Sequence, residues 1–284
     1  MKRALYWESL SEDKVKCHLC PHDCLISPGH AGICRMRVNK EGTLYAANYA
    51  RVSSIALDPI EKKPLYHFHP GKDILSLGTV GCNLKCSFCQ NYSISQEDAP
   101  TRELPPEQAV RLAKEQGPDC IGLAYTYSEP LMWYEYVLDT ATLAKRAGLQ
   151  NVLVTNGYIR LDPLKELLPV IHALNIDVKS FSDDFYQQLC RGRLDPVLKT
   201  VEAAVLAGCH VELTTLIIPG HNDSPTEIKS LSSFIADISP TIPLHLSRYF
   251  PQYKLNLPPT PLVTLEQAQI ISREKLNYVY IGNV

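Results

Sequence analysis

The chain has 284 residues, with 28 lysines and arginines against 30 aspartates and glutamates, and a net charge of −2. A charge this balanced excludes a global electrostatic attraction to nucleic acid or to anionic lipid, so ligand recognition must be local. The start of the chain turns polar at once, no apolar run approaches the ~18 residues of a membrane span, and the ten cysteines therefore indicate a reducing cytoplasm.

Residues 1–70 carry a group of cysteines and lack the strand–helix alternation of the rest of the chain. The pattern is C-x2-C-x3-C-x9-C, formed by Cys17, Cys20, Cys24 and Cys34. Zinc and an auxiliary iron–sulfur cluster both accept four thiolates, and a metal-free use of buried cysteines is the alternative. A Cys3His ligand set also stays open, because the same stretch contains His18, His22 and His30. The sequence predicts an amino-terminal cysteine-rich metal-binding element over residues 1–70.

Past residue 70, short apolar runs alternate with amphipathic stretches of helical length. This alternation predicts βαβ units and a parallel sheet. The predicted strands are Ile74–Leu77, Cys120–Tyr125, Asn151–Thr155, Asn175–Val178, His210–Ile217, Leu244–Ser247 and Tyr278–Ile281. The predicted helices are Pro105–Ala113, Leu131–Lys145, Pro163–Ala173, Asp184–Cys190, Pro196–Ala207, Pro225–Ile235 and Leu265–Lys275.

About six repeats are too few for a closed eight-unit barrel. Residues 71–284 are therefore predicted to form a partial, open (β/α)6 TIM-like barrel. Ligands of parallel α/β architectures bind beyond the carboxyl ends of the strands. Several polar motifs of this chain fall at those ends, which makes this edge of the sheet the predicted site.

A cysteine loop follows the first predicted strand of the barrel. Cys82, Cys86 and Cys89 have the spacing C-x3-C-x2-C and supply three thiolates from one short loop. A [4Fe-4S] cluster takes four ligands, so one of its irons would stay open. A reduced thiol cluster and a zinc knuckle are the alternatives. Three further cysteines, Cys120, Cys190 and Cys209, are isolated in the sequence and are interpreted as structural.

The cysteine loop resembles the defining triplet of the radical SAM superfamily, in which an aromatic residue, here Phe88, precedes the third cysteine. Together with the first amino-terminal cysteines and the segment Thr126–Pro130, the run Gly78–Asn91 is similar to the AmmeMemoRadiSam-system radical SAM enzymes, relatives of the pyruvate formate-lyase activating enzyme. The resemblance covers nearly the whole chain. Members of that group commonly continue beyond the segment corresponding to Tyr278–Asn283, often with another cysteine pair, so a short member and an incomplete one both fit.

This resemblance implies a radical SAM fold and a site for S-adenosylmethionine. Glu129, just past the second strand, would accept hydrogen bonds from the ammonium of the methionine moiety; a helix cap is the alternative. Lys179 would contact its carboxylate, with Asp177 as a neighbour, and an internal salt bridge is the alternative. Thr155 and Asn156 are short polar groups at the end of the third strand.

Two later strands carry the remaining predicted contacts. Thr215 and Ile217 correspond to a strand that closes over the adenine in the activating-enzyme family, and are expected to face the nucleoside. His245 lies near Ser247 and Arg248 and is a candidate for substrate or S-adenosylmethionine binding. A satisfied core histidine is the alternative for His245.

The resemblance implies a specific reaction. A reduced flavodoxin or ferredoxin-type donor would reduce the [4Fe-4S] cluster, S-adenosylmethionine would be cleaved to a 5′-deoxyadenosyl radical, and the radical would take hydrogen from a substrate. A glycyl radical enzyme is the family-level expectation for that substrate, and another protein, an RNA or a small molecule are alternatives. A non-catalytic iron–sulfur electron-transfer or regulatory protein is the hypothesis from a different class.

Overall fold

The molecule is built around one eight-stranded sheet, and the computed structural model describes residues 1–284. The strands, in chain order, are β1 (Lys2–Arg3), β2 (Trp7–Ser9), β3 (Val15–Cys17), β4 (Leu25–Ile26), β5 (Arg37–Lys40), β6 (Thr43–Ala46), β7 (Arg51–Val52), β8 (Ser54–Pro59), β9 (Asp73–Gly78), β10 (Arg102–Glu103), β11 (Cys120–Thr126), β12 (Gln150–Thr155), β13 (Ala173–Asp177), β14 (His210–Ile217), β15 (Leu244–Arg248) and β16 (Val279–Gly282). The helices are α1 (Tyr92–Ser95), α2 (Pro106–Glu115), α3 (Tyr134–Arg146), α4 (Leu161–Leu167), α5 (Asp183–Phe185), α6 (Asp195–Leu206), α7 (Pro225–Ile238) and α8 (Leu262–Arg273).

The large sheet has the strand order β16-β15-β14-β13-β12-β11-β9-β8. Its strands run parallel from β9 to β16, and only β8 is antiparallel to its neighbour. Because β8 and β16 are the two edges and do not pair with each other, the strands form an open arc. The predicted α/β fold with a parallel sheet is confirmed, and each predicted strand is present with ends within two residues of the prediction.

Three predicted helices are shorter than the sequence pattern indicates. The helix expected over Leu131–Lys145 begins at Tyr134, because the residues before it form a 3-10 turn. The helix expected over Pro163–Ala173 ends at Leu167, because Pro169 has no N–H to continue the ladder, and a 3-10 turn follows. The helix expected over Asp184–Cys190 is a single turn, α5, followed by a π-helical turn over Tyr186–Cys190. Arg191, at φ 59°, ends that turn in the left-handed conformation.

The amino-terminal residues form two small antiparallel sheets, with strand orders β1-β6-β5 and β2-β3-β4. The sequence did not indicate these strands, since most are only two to four residues long. Buried side chains of this amino-terminal region, including Cys17 and Leu19, belong to the same hydrophobic core as the barrel residue Leu153. β8 also lies before residue 70, yet it pairs with β9 along its whole length. The division of the chain near residue 70 remains a proposal.

A glycine allows the amino-terminal element to pack closely against the cysteine loop. Gly81 has φ +89°, and a Cβ at this position would lie 2.8 Å from the carbonyl oxygen of Cys34 and 2.4 Å from Met36. Only glycine fits both the left-handed backbone and the contact. The segment that carries Cys34 is therefore packed against the start of the loop Cys82–Cys89.

None of the helices combines the length and the apolar character that a bilayer crossing requires.

Candidate active site

A cavity of about 340 Å³ lies at the carboxyl ends of the parallel strands. Its walls come from the cysteine loop after β9 and from the residues that end β11, β12 and β13. The structure brings most of the predicted site residues together here. The predicted residues in this lining are Cys82, Cys86, Cys89, Glu129, Thr155, Asn156, Asp177 and Lys179.

The cysteine loop is fixed by backbone hydrogen bonds to the π-helical turn. The amide of Lys85 donates to the carbonyl of Cys190 at 2.7 Å, and the amide of Ser87 donates to the carbonyl of Leu189 at 2.9 Å. These contacts use carbonyls at the end of the turn that would otherwise lack partners. Cys190, isolated in the sequence, thus lies beside Cys86 in the fold.

The surroundings of the three loop thiols raise the pKa of each of them. Burial and the nearby Glu129 carboxyl raise the pKa of Cys82 well above its ordinary value. The Cys190 thiol, and then burial, raise the pKa of Cys86, and burial raises the pKa of Cys89. Iron must therefore displace these protons to bind.

The donor set of the loop fits an iron–sulfur cluster. Three thiols from one short loop line the cavity, and a [4Fe-4S] cluster bound by them would keep one iron without a protein ligand. Asn156 Nδ2 donates to Cys82 Sγ at 3.5 Å, and Ser95 Oγ lies 3.2 Å from Cys89 Sγ, so polar groups already face two of the sulfurs.

Glu129 is a buried carboxylate held by three donors. Its Oε1 accepts from the amide of Leu131 at 3.0 Å and from Thr155 Oγ1 at 2.6 Å, and its Oε2 accepts from the amide of Asn156 at 2.8 Å. Burial raises the pKa of Glu129 to about 7, although these hydrogen bonds and Lys179 lower it. A carboxylate accepts about four hydrogen bonds, so one acceptor position remains for a cationic ligand.

Asp177 and Lys179 form an ion pair at the end of β13, with Lys179 Nζ 2.9 Å from Asp177 Oδ2. Burial alone would lower the pKa of Lys179, but Asp177 and the sulfurs of Cys86 and Cys190 raise it well above its ordinary value. The lysine is therefore a permanent cation in the cavity wall. Both side chains line the cavity, as the predicted roles beside the methionine moiety require.

The structure does not bring Thr215 or Ile217 to the cavity. The residues of β14 in the cavity wall are Thr214 and Leu216, and Thr215 is buried on the other face, where its hydroxyl donates to the carbonyl of Val178 at 2.8 Å. Side chains alternate between the two faces of a strand, so the predicted pair is displaced by one residue.

His245 also lies outside the cavity lining. It shares the inward face with Ser247, which does line the cavity, but it is two residues nearer the amino end of the strand and hence about 6.6 Å deeper. There its Nε2 lies 2.7 Å from Glu212 Oε2. Arg248 does not line the cavity either, and its Nε donates to the carbonyl of Thr260 at 2.8 Å.

Glu212 organises this deeper layer. Its carboxylate accepts hydrogen bonds from the amides of Tyr66 and His67, at 3.0 and 2.7 Å, and from the rings of His210 and His245. Burial alone would raise the pKa of Glu212, but these hydrogen bonds lower it to about 2. Glu212 thus joins β14 and β15 to the segment Tyr66–His67, and His245 is part of this hydrogen-bonded layer.

Sequence reasoning missed a buried charged group in the cavity wall. Lys63 is 3% exposed and lines the cavity, and its Nζ lies 2.7 Å from Asp58 Oδ2. The same oxygen accepts from the hydroxyl of Tyr127 at 2.7 Å. The only available signal was an aspartate in an otherwise apolar strand, in a stretch that the sequence did not connect to the barrel.

The amino-terminal cysteines are gathered at a second place. Cys17, Cys20, Cys24 and Cys34 line one small cavity, which His22 also borders. The Nε2 of His22 is bound to the carbonyl of Asn83 at 2.8 Å. His18 lies between Glu8 and Asp23, and Nδ1 of His30 is 3.0 Å from the carbonyl of Pro28. The metal predicted here remains a proposal.

Comparison with known proteins agrees with this geometry. A family model described as the radical SAM superfamily matches residues 76–231. This chain belongs to the radical SAM superfamily. Radical SAM proteins carry a [4Fe-4S] cluster and use S-adenosylmethionine, which gives this chain its two cofactors. The matched region contains the cysteine loop and the ends of β11 to β14, so it includes most of the cavity wall.

Relatives of this radical SAM protein include both close and distant ones. An uncharacterized protein of Methanocaldococcus jannaschii is 45% identical over 290 residues, covering 100% of this chain and 86% of the relative. The pyruvate formate-lyase-activating enzyme of Clostridium pasteurianum is 30% identical over 165 residues, covering 56% and 67%. A solved radical SAM methyltransferase from Sphaerobacter thermophilus superposes with a TM-score of 0.60 at 17% identity, covering 76% of this chain and 67% of that one, which supports the fold.

Proposed function

We propose that this chain cleaves S-adenosylmethionine reductively and uses the resulting radical to abstract hydrogen from a substrate. The observation that carries the proposal is that three thiols, one carboxylate with a free acceptor position and one lysine line the same cavity. When bound, the [4Fe-4S] cluster supplies the electron that splits the sulfur–C5′ bond into methionine and a 5′-deoxyadenosyl radical. A pure electron carrier would not need the carboxylate and the lysine.

The side chains of the cavity have distinct tasks in this proposal. Cys82, Cys86 and Cys89 hold three irons and leave the fourth open to the methionine moiety. Glu129, fixed by three donors, accepts a hydrogen bond from the ammonium of that moiety. Lys179 contacts its carboxylate. The apolar part of the wall reduces access of water to the reacting atoms; its residues are Leu84, Phe88, Val154 and Leu216.

For the substrate, we propose a backbone position of a glycyl radical enzyme, with a reduced flavodoxin or ferredoxin-type protein as electron donor. The support is the 30% identity to an enzyme named for activating pyruvate formate-lyase. Related folds carry out many reactions. The experiment below therefore also distinguishes three alternative substrates: another protein, an RNA and a small molecule.

The test begins with anaerobic reconstitution with iron and sulfide, reduction by dithionite, and chromatography for 5′-deoxyadenosine. Formation of methionine and 5′-deoxyadenosine in equal amounts is expected. Their absence from protein that contains a full cluster would contradict radical SAM cleavage.

The substrate class is tested with protein, RNA and small-molecule fractions prepared from cells grown with α-deuterated glycine. Transfer of deuterium into 5′-deoxyadenosine is expected from the protein fraction. Deuterium-free product that forms faster with an RNA or small-molecule fraction would contradict the glycyl substrate and leave the cleavage reaction intact.

A further inference from the structure

A buried arginine beside the amino-terminal cysteines has two donors without partners. Arg37 is 1% exposed and borders the same cavity as Cys17, Cys20, Cys24 and Cys34. Its Nη1 donates to Glu135 Oε1 at 2.7 Å and to the carbonyl of Leu5 at 3.3 Å. Its Nε and Nη2 have no hydrogen-bond partner. Buried N–H groups are nearly always paired, so these two point to an acceptor bound at the cavity.

Four thiols line this cavity, and they are the ligands that we consider. His22 also borders the cavity; its Nε2 is bound to the carbonyl of Asn83, so a Cys3His set would use its Nδ1. Because the charge of Arg37 is paired with Glu135, the arginine supplies hydrogen-bond donors rather than a net positive charge to the four thiols.

The unpartnered donors of Arg37 favour a cluster over one zinc ion. A zinc site offers only its four thiolates as acceptors, whereas a [4Fe-4S] cluster adds inorganic sulfides that also accept hydrogen bonds. The superfamily already gives this chain one [4Fe-4S] cluster, at the loop Cys82–Cys89. We propose that Cys17, Cys20, Cys24 and Cys34 hold a second iron–sulfur cluster, and that Arg37 donates N–H groups of its Nε and Nη2 to the sulfurs of that cluster.

The second cluster would lie next to the catalytic one. The side chain of Asn83, which follows Cys82 in the chain, contacts Cys20. Its Oδ1 also accepts a hydrogen bond from Asn156 Nδ2 at 3.0 Å, and Asn156 lines the catalytic cavity. A single amide therefore connects the two groups of cysteines. Two reduced clusters this close are expected to broaden each other's electron paramagnetic resonance signals.

The experiment isolates the second cluster by removing the first. The triple variant Cys82→Ala/Cys86→Ala/Cys89→Ala is reconstituted with iron, sulfide and zinc present together, and its metals and acid-labile sulfide are measured. About four irons and four sulfides per chain are expected in this variant, and about eight of each in the wild type. Adding Cys20→Ser/Cys34→Ser to the triple variant should remove the remaining iron, whereas adding Cys120→Ser/Cys209→Ser should not.

One zinc per chain in place of iron, or no metal at all, in a triple variant that keeps its circular-dichroism spectrum would overturn the proposal. So would iron that survives the loss of Cys20 and Cys34. A resonance spectrum of the reduced wild type equal to the sum of two isolated clusters would overturn the placement of the second cluster beside the first. None of these measurements depends on cleavage of S-adenosylmethionine, so failure of the proposed function is recorded separately.

Discussion

Thr155 Oγ1 donates a hydrogen bond of 2.6 Å to Glu129 Oε1, although Thr155 ends β12 and Glu129 follows β11. Because β11 and β12 are adjacent and parallel, their carboxyl ends meet, and the carboxylate of one strand end is fixed by the hydroxyl and amide groups of the next. The contact orients Glu129 before any ligand arrives. The site is thus preorganised by the order of the strands in the sheet.

The first prediction concerns the ligands of the catalytic cluster. Cys86→Ala should lower the iron of the loop Cys82–Cys89 by at least tenfold, because two thiolates do not hold a cubane securely. Cys190→Ser is the matched control, since Cys190 lies beside Cys86 and should not be a ligand. Iron and sulfide analysis on a background that lacks Cys20 and Cys34 measures the effect. Equal loss of iron in both variants would show that Cys190 takes part in binding.

The second prediction concerns Glu129 and Lys179. Glu129→Gln and Lys179→Met should each weaken S-adenosylmethionine binding by tens-fold or more, because removal of one member of a buried charged contact costs roughly 2–5 kcal/mol. Isothermal calorimetry on reconstituted protein of known cluster content measures the affinity.

The matched control for the lysine is Lys199→Met. Lys199 forms a similar pair with Asp195 at 2.7 Å, but on the surface. Its loss should leave binding unchanged. Wild-type affinity in both Glu129→Gln and Lys179→Met would mean that Glu129 is only a cap and that Lys179 is only a partner of Asp177.

A third prediction follows from the depressed pKa of Glu212. The carboxyl ionises at about 2 in the folded chain and at its ordinary value of 4.5 when unfolded. The ionised carboxylate therefore contributes on the order of 3 kcal/mol to the free energy of unfolding. This contribution is complete at pH values above the ordinary pKa of 4.5 and is lost as the pH falls toward 2. Glu212→Gln should be much less stable than wild type at pH 6, and the difference should shrink by pH 3.

Urea unfolding at several pH values measures this difference in the free energy of unfolding. Cluster loss in acid affects both proteins alike, so the comparison at each pH removes it. A difference that does not change between pH 6 and pH 3 would contradict the role given to the Glu212 charge.

A fourth prediction concerns His245. His245→Leu should lower the thermal unfolding temperature, because it removes a hydrogen bond to the buried Glu212. It should leave the affinity for S-adenosylmethionine within about twofold of wild type, as its side chain is outside the cavity wall. Calorimetric titration and thermal unfolding of the same preparation separate the two effects. A tenfold loss of affinity in a stable variant would restore His245 to the binding site.

Much of the site could be predicted because polar or charged residues come directly after apolar strands, as Glu129, Asn156 and Lys179 do. The face of β14 could not be predicted. Central parallel strands are buried on both sides, so the run Val211–Ile217 carries no alternation that distinguishes Thr214 from Thr215.

Depth within the barrel and contacts across the chain were also beyond the sequence pattern. His245 and Ser247 share one face of β15, and only the packing of Tyr66 and Glu212 shows that the histidine belongs to the lower layer. Lys63 reaches the cavity through a pairing of β8 with β9. The pairing joins segments on opposite sides of residue 70, a relationship that no local periodicity reports.

Reductive cleavage of S-adenosylmethionine at the loop Cys82–Cys89 is measured as the rate of 5′-deoxyadenosine formation. The proteins compared are wild type, Cys86→Ala and Cys209→Ala. Each is reconstituted with iron and sulfide and reduced by dithionite in the presence of S-adenosylmethionine. Cys209 is half-buried, outside both cavities, and serves as the matched cysteine control. We expect 5′-deoxyadenosine to form in wild type and in Cys209→Ala, and not above background in Cys86→Ala. Wild-type turnover in Cys86→Ala, or no turnover in a wild-type protein with its cluster complete, would contradict this expectation.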